Sequence, residues 1–175
     1  ADRSQGDVHP QGNPHIQLDP LRLAEAAGAL AVRLGKLDAA HASDFQARAL
    51  AFRQAVDARM PGWQKLAANS PGIMLYHKDG NYLLARFNLS ALGYIEPLPG
   101  IPPSATHILK LVREQRGRKG VILHTVYQGH AGIAQLASQL GWKASALPLD
   151  PPAGAGQADY FTLIDQWLNA VAAGK

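Results

Sequence analysis

The chain has 175 residues, 47% of them hydrophobic, with 17 basic and 13 acidic residues and no cysteine. This length and apolar content supply one sizeable core and favour a single domain. The absence of cysteine excludes a disulfide framework, a zinc–thiolate site and thiol catalysis, so any metal must be held by His, Asp or Glu.

The net charge of +4 never condenses into a basic block. Its densest cluster, "RGRKG" at 116–120, has no interleaved aromatic residues and reads as a solvated turn, so nucleic acid is not an expected partner. No stretch approaches a membrane span, and the opening "ADRSQGDVHPQGNPH" is neither basic nor apolar enough for a signal peptide. That opening is expected to be an extended or loop segment from the interior of a longer protein.

A helix is predicted from "LDPLRLAEAAGALAVRLG", with Asp19 as N-cap and Pro20 at the first helical position. Leu23, Ala27, Leu30 and Leu34 would form its apolar face, and Gly35 its stop. A longer helical pattern starts near Asp38 and places Phe45, Ala49, Phe52, Val56, Met60 and Trp63 on one core-facing stripe. Pro61 is expected to kink or break it.

From Gly72 the period changes. The short apolar runs "GIMLYH", "LSALGYI", "GVILHTVY" and "KASALPL" alternate with the helical patterns "NYLLARF", "SATHILKLVREQ", "HAGIAQLASQLG" and "ADYFTLIDQWLNAVAA". Runs with little polar alternation predict strands covered on both faces, and strand–helix alternation predicts a parallel sheet with right-handed crossovers. The expected fold is therefore α/β: a four-stranded parallel sheet flanked by helices on both faces, preceded by two helices. The segments divide at 1–19, 20–69 and 70–175.

In such sheets ligands bind beyond the carboxyl ends of the strands. The first strand ends in "YHKDG" with His77, and the fourth in "LDPP" with Asp150, so topology alone puts both at one rim. Imidazole and carboxylate are the ligands zinc accepts without sulfur. Each residue also has an ordinary reading: His77 a hydrogen-bonded strand end, Asp150 a turn cap, and His15 in "NPHIQLDP" a loop histidine. His41 and His107 lie on helical patterns and receive no role. Signatures for phosphate loops, dinucleotide binding, the nucleophile elbow and H-E-x-x-H are all missing from the sequence.

Taken in order, "GNPHIQLDP", "YHKDG", "GYIEPLPGIPPSA" and "LPLDP" resemble the solute-binding proteins of zinc and manganese ABC importers. The resemblance covers nearly the whole chain, with Gln17 where the family's NPH-x-W-x-DP motif has Trp. It implies the C-terminal lobe of a two-lobed protein, with the pattern from Asp38 to Asn69 as the long connecting helix and the metal in the cleft between lobes. It also implies ligands at His15, His77 and Asp150, with a first histidine contributed by an N-terminal lobe or replaced by His9 or water. His77 stands where manganese-preferring relatives often have Glu, which implies zinc rather than manganese. Lys78, and "LHTVYQ" in place of a Glu-Pro-Gln segment, depart from the pattern; His124 in the latter is a possible helper.

The implied protein is periplasmic and not an enzyme, hands its ion to an ABC permease, and takes no small organic substrate. The rival reading is a metal-dependent hydrolase with a His/Asp site and Asp79 or Glu96 as general base. A further expectation, specific to an isolated lobe, is self-association through the connecting helix or the proline loop.

Overall fold

The computed structural model describes residues 12–130 and 132–174. A single 3-10 turn, Ile16–Leu18, leads into α1 (Pro20–Leu37), and a second, Ala39–His41, into α2 (Ala42–Ala67). Then follow β1 (Gly72–Leu75), a 3-10 turn at Lys78–Gly80, α3 (Asn81–Arg86), β2 (Ala91–Tyr94) and α4 (Ala105–Gln115). The chain closes with β3 (Gly120–Thr125), α5 (Ile133–Leu140), β4 (Lys143–Leu147) and α6 (Gln157–Ala172). The strands form one all-parallel sheet in the order β2-β1-β3-β4. This is the expected α/β fold.

The sheet is covered on both faces because its central strands are almost wholly buried and carry apolar residues on both sides, with His124 and Thr125 at the end of β3 the polar exceptions. Ile73 and Leu75 of β1, with Val121 and Leu123 of β3, join α2, α3 and α6 in one cluster. The alternate residues Met74 and Ile122 join α4 and α5 in the other. The period-2 geometry of a strand thus feeds two cores from one run of sequence.

Two helix expectations need correction. Gly35 does not stop α1, which continues to Leu37; its own Cβ-free face lies against Ala42, where the α1–α2 hairpin turns. Pro61 neither ends nor breaks α2, which is helical from Ala42 to Ala67. Val56 and Trp63, buried on either side of Pro61, hold the helix against α6, where Phe52 stacks on Phe161 and Trp63 Nε1 donates to Asp165 Oδ1 at 2.6 Å. That packing offsets the absent amide bond and the crowding of the preceding turn, together about 3 kcal/mol for an interior proline. The expected apolar face of α1 is also only partly right: Ala24 and Ala31 are buried, while Leu30 is 56% exposed.

Asp19 caps α1 as expected, accepting from the amides of Leu21 (3.1 Å) and Arg22 (3.3 Å). It also pairs with Arg86 at the end of α3 through a two-pronged bridge of 2.8 and 3.0 Å. The carboxylate beside Arg86 raises the guanidinium's already high pKa. Because the Asp19 side chain is only 3% exposed, Arg86→Ala removes its two-pronged partner and leaves only the half-exposed Arg22, whose Nε lies 3.2 Å from Asp19 Oδ2. Allowing for the partial exposure of Arg86, the expected cost is about 2–3 kcal/mol, or roughly 5–10 °C in Tm. Arg86→Lys should recover less than half of it, since one ammonium cannot reproduce the fork. Thermal unfolding beside Arg53→Ala, which breaks the exposed pair with Asp57 and should cost at most about 0.5 kcal/mol, checks this.

Candidate metal centre

The strand order reverses direction between β1 and β3, so the loops leaving these two strands diverge and open a crevice at their carboxyl ends. Gln128, from the loop after β3, spans it: its Nε2 donates to Asp79 Oδ2 at 2.7 Å, and its Oε1 accepts from Thr125 N at 2.8 Å. Asp79 is 2% exposed and takes a second bond from Gly80 N at 2.9 Å. The site is tight around Gly80, where a Cβ would press at about 3.1 Å on Leu75 and Trp167.

The segment from Gly12 to Asp19 lies across this rim, held along its length. Asn13 Nδ2 donates to the carbonyl of Lys78 (2.7 Å), and Tyr82 Oη donates to the carbonyl of Asn13 (2.9 Å). Tyr160 Oη, from α6, donates to the carbonyl of Gln17 (3.0 Å). Burial raises the Tyr160 hydroxyl's pKa, with the Asp19 charge adding to the effect, so it stays a donor.

These anchors bring His15 to His77, with ring centroids 5.7 Å apart at right angles. Two imidazoles bound to one tetrahedral zinc ion, with Zn–N bonds of about 2.0–2.1 Å, have centroids roughly 5–5.5 Å apart. The observed pair is close to that spacing. Asp150 stands exposed in the loop after β4, at the rim topology assigned to it, and its Oδ1 accepts from Gln17 Nε2 at 3.2 Å. Trp167 Nε1 supports that loop by donating to the carbonyl of Pro148 (2.8 Å). The rim segment therefore reaches His77 through His15 and Asp150 through Gln17. Among the described residues, however, no three His, Asp or Glu side chains gather closely enough to hold an ion. His9 lies outside the described residues.

The sequence reading passed over the residues that organise these side chains. His77 Nδ1 is bonded to Glu96 Oε2 at 2.5 Å, and Glu96 Oε1 accepts from Gly100 N at 2.8 Å. Glu96 follows β2 just as His77 follows β1, so the rule that selected one could have selected the other. Asp79 was considered only as a base. Burial raises its carboxyl pKa, while the His77 imidazole, the Gly80 amide, the His15 imidazole and the Gln128 amide oppose that shift. Both carboxylates are thus engaged by neighbouring groups, Asp79 by Gly80 and Gln128 and Glu96 by His77 and Gly100.

His124 ends up on the α4–α5 side of the sheet, in step with Ile122, with its ring 6.0 Å from that of His130. His107 Nε2 donates to the carbonyl of Tyr94 (2.9 Å), and His41 contacts Asp38 (2.8 Å) on the surface.

The family described as zinc-uptake complex component A, periplasmic, matches residues 1–174. No curated protein matches the chain. Among solved structures it is similar to the solute-binding protein FpvC of Pseudomonas aeruginosa in complex with Mn2+: TM-score 0.78, 23% identity, covering 93% of this chain and 62% of that one. A crystal structure of ZnuA gives TM-score 0.76 and 18% identity over 97% of this chain and 69% of its own. A Zn(II)-bound variant of AdcAII from Streptococcus pneumoniae gives 0.72 and 20%, over 91% and 60%. The chain thus spans about 60–70% of the length of these relatives.

Burial lowers the His124 pKa, His130 adds to the effect, and the Thr125 carbonyl and Asp79 oppose it. A folded value below the unfolded one, about 6.5, means that the unfolded chain binds the extra proton. This contribution to stability is full above that pH and is lost as pH falls through it. Urea unfolding across pH 7.5 to 5 should show this acid destabilisation in the wild type and a shallower slope in His124→Phe; equal slopes would refute it.

Proposed function

Because the chain belongs to the ZnuA family of periplasmic zinc-uptake components, we propose that it is the C-terminal lobe of a solute-binding protein that captures zinc and delivers it to an ABC permease. The observation that carries this reading is the edge-on pair of His15 and His77, held near zinc-ligand spacing by loops bonded to each other. His15 and His77 are the nitrogen ligands and Asp150 the carboxylate. Capture exchanges the Gln17–Asp150 hydrogen bond for a metal–oxygen bond and draws the loop after β4 toward the two rings.

Two imidazoles and one carboxylate favour zinc over manganese, which prefers harder, oxygen-rich sets. The fourth position falls to an N-terminal lobe of the same protein, to His9 or to water. Leu30, Leu37 and Leu50, exposed on α1 and α2, are the surface assigned to that lobe, with α2 as the connecting helix. That the chain covers only 62–69% of such relatives supports a further lobe in the whole protein. The protein acts in the periplasm as a carrier, not an enzyme.

Calorimetric titration of the chain with zinc, beside a manganese control, tests the site. Expected are one-to-one zinc binding, weaker manganese binding, and a loss of tenfold or more in each of His15→Ala, His77→Ala and Asp150→Ala; tenfold corresponds to about 1.4 kcal/mol. Affinity should also fall between pH 7 and 5.5, because a protonated imidazole cannot ligate. Variants that bind as tightly as the wild type would remove these residues from the site.

A further inference from the structure

The parallel ladder between β1 and β2 runs two residues beyond the strands themselves. Ile95 N donates to the carbonyl of Leu75 and Glu96 N to the carbonyl of Tyr76, each at 2.9 Å. Pro97, which has no amide hydrogen, cannot extend it. Glu96 and His77 are thereby set beside each other by backbone hydrogen bonds, not by the chance meeting of two long side chains.

The side chains then lock. His77 Nδ1 meets Glu96 Oε2 at 2.5 Å, with the two side chains 16% and 12% exposed, so water competes little for either. The other carboxylate oxygen is fixed by Gly100 N, in a turn closed by the bridge between Leu98 and Ile101. An ionised carboxylate only accepts hydrogen bonds, so the shared proton belongs to Nδ1. That leaves Nε2 as the ring nitrogen with a lone pair to give.

We propose that Glu96 is the positioning residue of the metal centre: it holds His77 in the Nδ1–H tautomer and presents Nε2 as the ligand atom. This rests on the reading that His77 binds the metal. A carboxylate behind a ligating imidazole fixes the ring and raises its basicity, and removing such a partner typically costs 10–100-fold in metal affinity. The assignment also accounts for Glu96 in chemical terms that the hydrolase reading does not: its two oxygens are committed to orientation, and neither is left to activate water.

The test reads the tautomer directly, without metal. Long-range 1H–15N correlation spectra of the 15N-histidine-labelled chain at pH 8, with the His77 signal identified by its loss in His77→Gln, should show a protonated Nδ1 and an unprotonated Nε2. In Glu96→Ala the signal should shift toward the Nε2–H form and zinc affinity should fall 10–100-fold. Glu96→Gln, which keeps an acceptor without the charge, should retain the tautomer and lose less than tenfold.

A wild-type His77 in the Nε2–H form, or a Glu96→Ala variant with an unchanged His77 spectrum, overturns the proposal. If Glu96→Ala fails to fold, the wild-type and Glu96→Gln spectra still decide it. Failure of the wild type to bind zinc, with the Nδ1–H form present, would instead count against the zinc-carrier reading and against His77 as a ligand, while leaving the hydrogen-bonded pair intact.

Discussion

The arrangement of the rim depends on one buried carboxylate. Asp19 ends the segment that carries His15, starts α1 by capping its first amides, and grips Arg86 at the end of α3, the helix that follows His77. The rim segment and α1, which meet at Asp19, and α3, 67 residues further on, are thus referred to one point. His15 lies four residues before it, and His77 nine residues before its partner. A carboxylate this deeply buried is tolerated only because charge-assisted bonds replace its water. The demand that it be satisfied therefore fixes the path of the loop and not merely its end.

Around that fixed point the sheet contributes direction. With order β2-β1-β3-β4 the crossovers part between β1 and β3, and a parallel sheet delivers every βα loop to the same edge. His77, Glu96, Gln128 and Asp150 come from the loops after β1, β2, β3 and β4 respectively, and each is placed by a strand end. Aromatic hydroxyls and indoles from the helices then tie those loops down: Tyr82 and Tyr160 to the rim segment, Trp167 to the loop before Asp150. Rigidity at the rim is thus borrowed from the core beneath it.

Much of this was legible in the sequence, for a definable reason. The apolar runs, the Asp19-Pro20 helix start and the rim positions of His77 and Asp150 all follow from local pattern plus one topological rule. Gly35 and Pro61 misled because tertiary packing outweighed local preference: the α1–α2 turn lies two residues beyond the glycine, and Trp63 and Val56 hold the helix through the proline. Pairings were illegible. Nothing in the composition of "EPLPGIPP" says that Glu96 turns toward His77, or that Gln128 crosses the crevice to Asp79. Those contacts depend on register between strands, which a single sequence does not print.

The net charge of +4 does not decide cation capture, because net charge governs solubility and encounter more than the potential at one site. Here Asp79 is buried and Glu96 nearly so, both close to the His77 imidazole. In that setting a carboxylate is felt more strongly than in water. The raised pKa of Asp79 shows that burial disfavours its charge, and the nearby imidazoles of His77 and His15 act in the opposite sense. That opposing effect is the one a positive charge at the rings exerts, so a charge held there favours the ionised form of Asp79.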